Sequence, residues 1–184
     1  IGGIVGLANG GNSEISGCIS KCAIVSDRDD NTNKEYCGGI AGQSNAKIVE
    51  CDNYGKVVAK TYCKVRNVGG IAGANGGSVS DCMNCGEVVV AGAGRYVQLG
   101  GIIGSHSGTS VLENIYNHGS VSLEKIQNNG SAVMKVGGCI GESTKATATF
   151  GSDVENTADV TVLSGQNWPN TKAIYVGGIF GFVA

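Results

Sequence analysis

Short apolar runs, separated by glycine, asparagine and other polar residues, dominate the hydrophobic pattern of this chain. Residues 57–59 and 88–90 are examples, and both are rich in β-branched or small apolar side chains. Runs of this kind are typical of β-strands. No segment places apolar residues at three- and four-residue steps over about ten positions, which an amphipathic helix would require. The pattern therefore predicts an all-β chain of short strands joined by tight turns.

The short runs recur because the chain is repetitive. The pentapeptide Gly-Gly-(Ile/Cys)-x-Gly occurs six times, and its copies contain 18 of the 32 glycines. A second signature follows it, with an apolar residue, Asn, a small residue and a β-branched residue at alternate positions. Its copies span 51–57, 82–88 and 115–121, with weaker copies at 154–160 and 18–24. Units thus begin near residues 2, 38, 69, 100, 137 and 177, and we interpret residues 1–184 as a single repeat domain.

One unit of about three short strands is too small to bury its own apolar face, whereas stacked units share a continuous core. The unit spacing of 31 to 40 residues predicts a β-solenoid of about five stacked repeats. Its coils would lie about 4.8 Å apart, the separation of hydrogen-bonded strands. Equivalent asparagines would then form a ladder of side-chain amides, made of Asn53, Asn84, Asn117 and Asn156.

One detail leaves a second fold open. Val68 and Ile71 are three residues apart, so simple alternation places them on opposite faces of a strand. In a solenoid, the glycine pair between them must form a bulge or a corner that turns both side chains inward. The alternative is a β-sandwich or prism of repeated hairpins, in which this strand is buried on both faces.

Eight cysteines raise the question of a disulfide framework. Cys18, Cys51 and Cys82 occupy one repeat position, which other units fill with Ile or Val. Cysteine side chains stacked at that position run parallel, which fits poorly with the torsion of a disulfide. We therefore expect mostly free, buried thiols. Cys82 and Cys85 have zinc-ligand spacing, but no second pair follows at the distance of a zinc ribbon, and no metal site is predicted there.

The sequence shows no recognisable catalytic or cofactor-binding motif. The glycine motifs are not followed by the Lys-Ser or Lys-Thr of a phosphate-binding loop. His106 and His118 are the two histidines, and neither stands in the setting of a catalytic triad or a metalloprotease helix. The formal net charge of −2 leaves no basic footprint for nucleic acid, and no apolar run approaches a membrane span. We therefore predict no enzyme, no cofactor, no nucleic-acid partner and no membrane-spanning segment.

The densest polar run offers a weak calcium site. Asp27, Asp29, Asn31 and Asn33 place oxygen-bearing side chains at alternate positions, as in the first half of a calcium loop. Thr32 stands where such a loop needs glycine, and no glutamate closes the loop. A solvated turn is the preferred interpretation of these residues.

Variable connectors offer a more general site for recognition. The segments 25–37, 59–68, 90–99, 122–136 and 161–176 differ in length, and in-register stacking would gather them along one edge. The side chains in them best suited to binding are Tyr62, Arg66, Arg95, Tyr96 and Trp168. Packing of Trp168 against the edge of the scaffold explains that residue equally well.

The segment 68–73, followed by 79–88, closely resembles the GLUG repeat. The resemblance covers essentially the whole chain, and the three central units match best. It implies a secreted or surface-anchored bacterial protein, because the repeat occurs in IgA-specific metallo-endopeptidases of streptococci and in adhesin-like proteins. The His-Glu-x-x-His zinc motif of the peptidases is absent from the chain, so the resemblance transfers no catalytic residue.

The expected function is that of a non-catalytic structural and interaction module, outside the cell or on its surface, that contacts host glycoprotein or glycan in adhesion. An accessory domain of a secreted metallopeptidase is the first alternative, and a polysaccharide-active β-solenoid is the weaker one. The abrupt start at Ile1 suggests a piece of a longer protein. An uncapped coil at the end of the stack would favour end-to-end self-association.

Overall fold

Of the 184 residues, the computed structural model describes 1–28, 30–60, 63–92, 95–124, 132–145, 148–163 and 171–184, without the side chains of 30–33, 171 and 172. Within these ranges the chain forms β-strands and no helix, which confirms the all-β prediction. It follows that these ranges hold no helix with the length and apolar character that crossing a membrane needs.

The strands are short, as the apolar runs predict. In chain order they are β1 (Val5–Ala8), β2 (Glu14–Ser16), β3 (Ile19–Ser20), β4 (Ile24–Ser26), β5 (Asp30–Gly38), β6 (Ala41–Ser44), β7 (Lys47–Val49), β8 (Asp52–Asn53), β9 (Val57–Ala59), β10 (Cys63–Gly69), β11 (Ala72–Asn75), β12 (Val79–Asn84), β13 (Val88–Val90), β14 (Tyr96–Gly100), β15 (Ile103–His106), β16 (Val111–Asn117), β17 (Val121–Leu123), β18 (Ala132–Gly137), β19 (Ile140–Ser143), β20 (Thr149–Phe150), β21 (Val154–Asn156), β22 (Val160–Val162), β23 (Thr171–Gly177) and β24 (Phe180–Val183).

The described strands form four parallel sheets, and the chain passes through them in turn. Sheet 1 has the order β1-β6-β11-β15-β19-β24, and sheet 2 has the order β2-β7-β12-β16-β20, with β3, β8 and β21 beside it. Sheet 3 runs β4-β9-β13-β17-β22, and sheet 4 runs β5-β10-β14-β18-β23. Strands one repeat apart are neighbours in every sheet, so the fold is the predicted β-solenoid of stacked repeats. The pairings in the described residues are parallel, which excludes the alternative of repeated hairpins.

The sequence predicted about three strands in each unit, whereas the structure has four sheets and therefore four faces in each coil. The additional face is sheet 4, and its strands come from the second half of each connector that was interpreted as a recognition loop. These segments form strands because apolar residues alternate along them: Val97 and Leu99 face the interior in one coil, and Met134 and Val136 in the next. The connectors do gather along one edge, but mostly as a parallel sheet.

The interior is divided into two lobes, each with its own cluster of buried apolar residues. The first cluster lies between sheets 1 and 2 and includes Ile71, and the second lies between sheets 3 and 4 and includes Val68. Both side chains are fully buried. The glycine pair between them therefore forms the predicted corner, where the chain leaves the second lobe and enters the first.

The two repeated signatures meet at the waist between the lobes. A Cβ built on the second glycine of a pentapeptide would lie 2.3 Å from Asn53 Cγ at Gly39 and 2.2 Å from Asn84 Cγ at Gly70. The clash recurs in the later coils, where Gly101 faces Asn117 and Gly138 faces Asn156. No side-chain atom fits there without displacing the asparagine, so only glycine suits this position.

The asparagines form the predicted ladder along the waist. Asn53 Nδ2 donates to Asn84 Oδ1 at 2.9 Å, and the same bond links Asn84 to Asn117 at 2.9 Å and Asn117 to Asn156 at 2.8 Å. Each amide also closes its own turn; Asn84 Nδ2, for example, donates to the Gly86 carbonyl at 2.8 Å. Because every buried amide is bonded both along the stack and within its coil, the ladder satisfies the polar groups of the waist.

Unit length varies at the tips of the lobes and not at the waist. The turns from sheet 4 to sheet 1 and from sheet 2 to sheet 3 keep the same length in every coil. The number of residues between the strands of sheets 1 and 2 rises from two (45–46) in one coil to five (144–148) in another. The number between the strands of sheets 3 and 4 rises from three (60–62) to eight (124–131). Differences in unit length between coils therefore arise between sheets 1 and 2 and between sheets 3 and 4, at the two lobe tips.

Candidate functional site

A groove follows the outer side of the waist, where sheets 4 and 1 meet. Arg66 and Val68 of β10 are buried in the interior, so Asn67 between them faces the other side of the strand. After the glycine corner, β11 brings an outward-facing position of sheet 1 next to it. We define the waist groove by positions 36, 67, 98, 135 and 175 of sheet 4 and positions 43, 74, 105, 142 and 182 of sheet 1.

Side chains from the two sheets contact each other across the later part of the groove. The Lys135 ammonium pairs with the Glu142 carboxylate, and both side chains are largely buried. The Lys135 Nζ atom also lies 4.0 Å from the centre of the Phe182 ring. On the next rung the rings of Tyr175 and Phe182 are 5.1 Å apart. These contacts close the groove at that end with a neutralised ion pair and a small aromatic cluster.

The middle of the groove holds two amide side chains with unmet hydrogen-bonding capacity. Asn67 and Gln98 are neighbours in register and each is 8% exposed. Within the part of the chain that the structure describes, Asn67 Oδ1 and Gln98 Oε1 have no donor. A buried acceptor without a donor carries a cost of about 1–3 kcal/mol. Both oxygens are enclosed, so a donor group in the groove would stabilise them only after the amides rotate toward it.

The groove widens into a cleft at the first coils, with a cavity of about 330 Å³. Tyr36 and Gln43, which face each other in the groove, both line it, together with Ile1, Gly6, Leu7, Ser26, Arg28, Lys34 and Glu35. Lys34 and Arg28 bring positive charge to its wall. The Glu35 carboxylate, which also lines the cleft, is paired with Arg66. An aromatic ring, an amide and two cations thus surround one small cleft.

Arg66, predicted to bind a ligand at the recognition edge, lies instead in the core of the second lobe. Its side chain is fully buried, with Nε 2.7 Å from Glu35 Oε2. Its Nη1 donates to the carbonyl of Gly92 at 2.5 Å and to that of Ala59 at 3.4 Å. Strand alternation turns this position inward, and Glu35 on the preceding rung neutralises the charge. Arg66 therefore holds coils together and is not available to a ligand from solvent.

Arg95 and Tyr96 lie beside the groove, at the start of β14, and both are half-buried. The Arg95 guanidinium is 5.9 Å from the centre of the Tyr96 ring. Because Tyr96 is two residues before Gln98 on the same strand, the two side chains are on one face. The structure thus brings one of the predicted binding residues, Tyr96, to the face of the groove, with the Arg95 guanidinium near its ring. Tyr62 and Trp168, predicted with them, lie outside the described residues.

The weak calcium site is only partly covered by the structure. Asp27 is exposed in the turn after β4. Asp29 lies outside the described residues, as do the side chains of Asn31 and Asn33. In the described part of the chain, histidine, cysteine and carboxylate side chains form no group of three suited to a metal ion. The calcium hypothesis remains a prediction.

The two histidines differ in their surroundings, and the cysteines are free thiols. His106 is fully buried at the tip of the first lobe, and its burial lowers its pKa more than the carbonyls of Asn75 and Gly108 raise it. His118 is exposed, with Nδ1 2.6 Å from Thr157 Oγ1. All eight cysteines fall in described ranges and are free thiols, five of them buried, which confirms the expectation of mostly free thiols.

The residues that sequence reasoning missed share a position just before the pentapeptide. Two residues before its first glycine, every later copy has a polar or aromatic side chain between inward-facing residues: Tyr36, Asn67, Gln98, Lys135 and Tyr175. That column was visible in the sequence, but its partner column in sheet 1 depends on how the corner folds. No family model, curated protein or solved structure matches the chain.

Proposed function

We propose that this chain is a non-catalytic recognition module of a secreted or cell-surface bacterial protein, and that its waist groove binds an extended polymer such as a host glycan chain. The groove runs along the stack, so similar positions recur about every 4.8 Å. A ligand with its own repeating units matches such a surface better than a compact molecule does. The resemblance to the GLUG repeat supports the location and the adhesive role.

The observation that carries this proposal is the pair of unpartnered amide oxygens, Asn67 Oδ1 and Gln98 Oε1, on adjacent rungs. Sugar hydroxyl groups are hydrogen-bond donors and would satisfy them once the two amides rotate toward the groove, because both oxygens are enclosed in the unbound protein. Tyr36 in the first-coil cleft and Tyr96 beside Gln98 offer aromatic surface to the apolar face of a sugar ring. Binding sites commonly combine such apolar surface with a few polar groups that fix orientation.

The proposal is tested on an array of glycans and host glycoproteins, followed by titration of the best ligand. Gln98→Leu keeps the size of the side chain and removes the amide, and Tyr36→Ala removes the ring. We expect each substitution to weaken binding about tenfold or more, equivalent to about 1.4 kcal/mol. Thr161→Ala, an exposed position of sheet 3 on another face, is the matched control and should bind normally.

Two results would count against the proposal. Binding that survives both groove substitutions and is lost in Trp168→Ala would move recognition to the segment that contains Trp168. If protein whose melting temperature shows that it is folded binds nothing on the array, the recognition role is contradicted altogether.

A further inference from the structure

Three cysteines form a column on consecutive rungs of sheet 2, facing the first lobe. Ile19 pairs with Asp52, and Asp52 with Met83, so the preceding residues Cys18, Cys51 and Cys82 are stacked in register. The column continues into Ile115, which pairs with Cys82. Each of the other five cysteines has a residue other than cysteine at the same position of the adjacent coils. Cys18, Cys51 and Cys82 are therefore the thiols that the fold brings together.

The spacing of this column suits a disulfide, although the reduced thiols are not yet aligned for one. Neighbouring strands lie about 4.8 Å apart. Disulfides join Cα atoms about 4.4–6.8 Å apart. Cys51 Sγ donates to the Val49 carbonyl at 3.2 Å, and Cys82 Sγ to the Ser80 carbonyl at 3.1 Å, so these thiols point the same way. Strands stacked in register also keep their Cβ atoms about 4.8 Å apart, just beyond the roughly 3.5–4.5 Å of a disulfide. One side chain of a pair therefore has to rotate, and its backbone has to shift slightly, before a bond forms.

Cys18 is the most accessible member of the column. It is partly exposed, whereas Cys51 and Cys82 are fully buried. Its Sγ donates to the Ser16 carbonyl in an exposed hydrogen bond of 3.3 Å. The preceding residue, Gly17, has a φ of 62° and nothing within 4 Å of where its Cβ would be. Cys18 therefore lies at an open edge of the column, where a small oxidant can approach it from solvent.

Cys51 is the member best suited to act as a nucleophile. Interaction with the neighbouring side chains of Cys82 and Cys18 lowers the pKa of Cys51 to about 6, against the opposing effect of its burial. The same interaction with Cys51, together with burial, raises the pKa of Cys82. Burial raises the pKa of Cys18 as well. A thiolate at Cys51 is thus positioned between two neutral thiols, one of which is accessible.

We propose that Cys18 and Cys51 form a redox-modification site, which closes a disulfide between the first two coils on exposure to a small disulfide oxidant such as glutathione disulfide. The Cys18 thiol gives its proton to solvent, and its sulfur attacks one sulfur of the oxidant. This step forms a mixed disulfide and releases one glutathione thiolate, which takes up a proton. The Cys51 thiolate then attacks Cys18 Sγ, forms the Cys18–Cys51 bond and releases the second. The two cysteine thiols lose two protons and two electrons, and the oxidant is reduced to two glutathione molecules.

The test starts from Cys22→Ser/Cys85→Ser protein, because those two thiols are exposed and would react on their own. The folded protein is incubated with glutathione disulfide, its free thiols are counted after denaturation, and its peptides are mapped by mass spectrometry. We expect the loss of two of the remaining six thiols, a peptide linking Cys18 to Cys51 and a higher melting temperature that a reductant reverses.

Two further variants in the same background identify the pair. Cys18→Ser should keep all of its thiols under the same treatment, and Cys82→Ala should still form the Cys18–Cys51 peptide. Retention of all six thiols, a glutathione adduct on Cys18 that Cys51 does not displace, or a Cys51–Cys82 linkage would each overturn the proposal. The peptides are mapped only from protein whose circular dichroism spectrum shows that it is still folded. Loss of structure therefore cannot produce any of these outcomes.

Discussion

Gly70 packs directly against the side-chain amide of Asn84, so that a Cβ at position 70 would lie 2.2 Å from Asn84 Cγ. The Gly101 carbonyl of the next coil is equally close, at 2.2 Å. The glycine pentapeptide and the asparagine signature are thus two halves of one contact, which separates the two lobes. The repetition of both signatures follows from the repetition of that contact in each coil.

Gly70→Ala should destabilise the fold, because neither the backbone nor the bonded amide is free to move aside. Overpacking of a close-packed interior costs about 1–3 kcal/mol, and a backbone clash places this change at or above the upper end. Urea unfolding measures the effect. Gly178→Ala is the matched control at the same position of the last pentapeptide, where a Cβ would meet nothing within 4 Å. Equal losses in the two variants would contradict the packing at the waist.

Asn84→Ala should cost more than the loss of one hydrogen bond. It removes the acceptor of Asn53 Nδ2 and the donor to Asn117 Oδ1, and it opens the turn that Asn84 makes with Gly86. Leaving a buried partner unsatisfied costs about 1–3 kcal/mol for each group. We expect a clear fall in the urea midpoint, and a smaller one for Asn156→Ala at the less buried end of the ladder. An Asn84 variant as stable as the parent would show that the ladder contributes little.

Arg66→Met should be strongly destabilising, by about 3–5 kcal/mol, because it leaves the Glu35 carboxylate buried without its partner. The double variant Glu35→Val/Arg66→Met should recover most of that loss. It fills both positions as the following coils do, where Val97 and Met134 occupy the same column. Chemical unfolding of both variants tests this, and a double variant no more stable than Arg66→Met would contradict it.

Stability should fall on mild acidification because of His106. Burial lowers the pKa of His106 below its ordinary value of 6.5, so the unfolded chain takes up a proton that the folded chain resists. The contribution of the neutral side chain is therefore complete above pH 6.5 and is lost as the pH falls below that value. Melting temperatures between about pH 8 and pH 5 measure the effect.

His106→Asn is the control for this pH dependence, because Asn75 occupies the same position one coil earlier. The variant should fold, and its melting temperature should change less over the same range. An identical slope in the parent and the variant would assign the acid sensitivity to other groups.

The sequence allowed the stacking of coils to be predicted, because repeats identify which residues are equivalent. The ladder through Asn53 and Asn84 and the column of Cys51 and Cys82 both follow from that equivalence. The path of the chain within one coil did not follow from it. Arg66 stands among polar residues in a variable connector, and only the carboxylate of Glu35, one repeat earlier, makes its burial possible.

The groove was beyond sequence reasoning for a related reason. Asn67 and its equivalents are polar positions of a strand, and polar positions usually face open solvent. Their enclosure depends on the sharp corner at the glycine pair, which brings sheet 1 beside sheet 4. A repeat pattern reports neighbours along the axis of the stack, whereas this enclosure is a relationship between two parts of the same coil.

The restriction of length variation to the two lobe tips makes the fold a frame for displaying foreign sequence. A segment grafted between β15 and β16, at residues 107–110, would leave the corners at the waist untouched. Grafts at the same tip of successive coils would project side by side at the strand spacing of about 4.8 Å. Duplication of a whole coil would add one more such place without creating any new kind of contact in the interior.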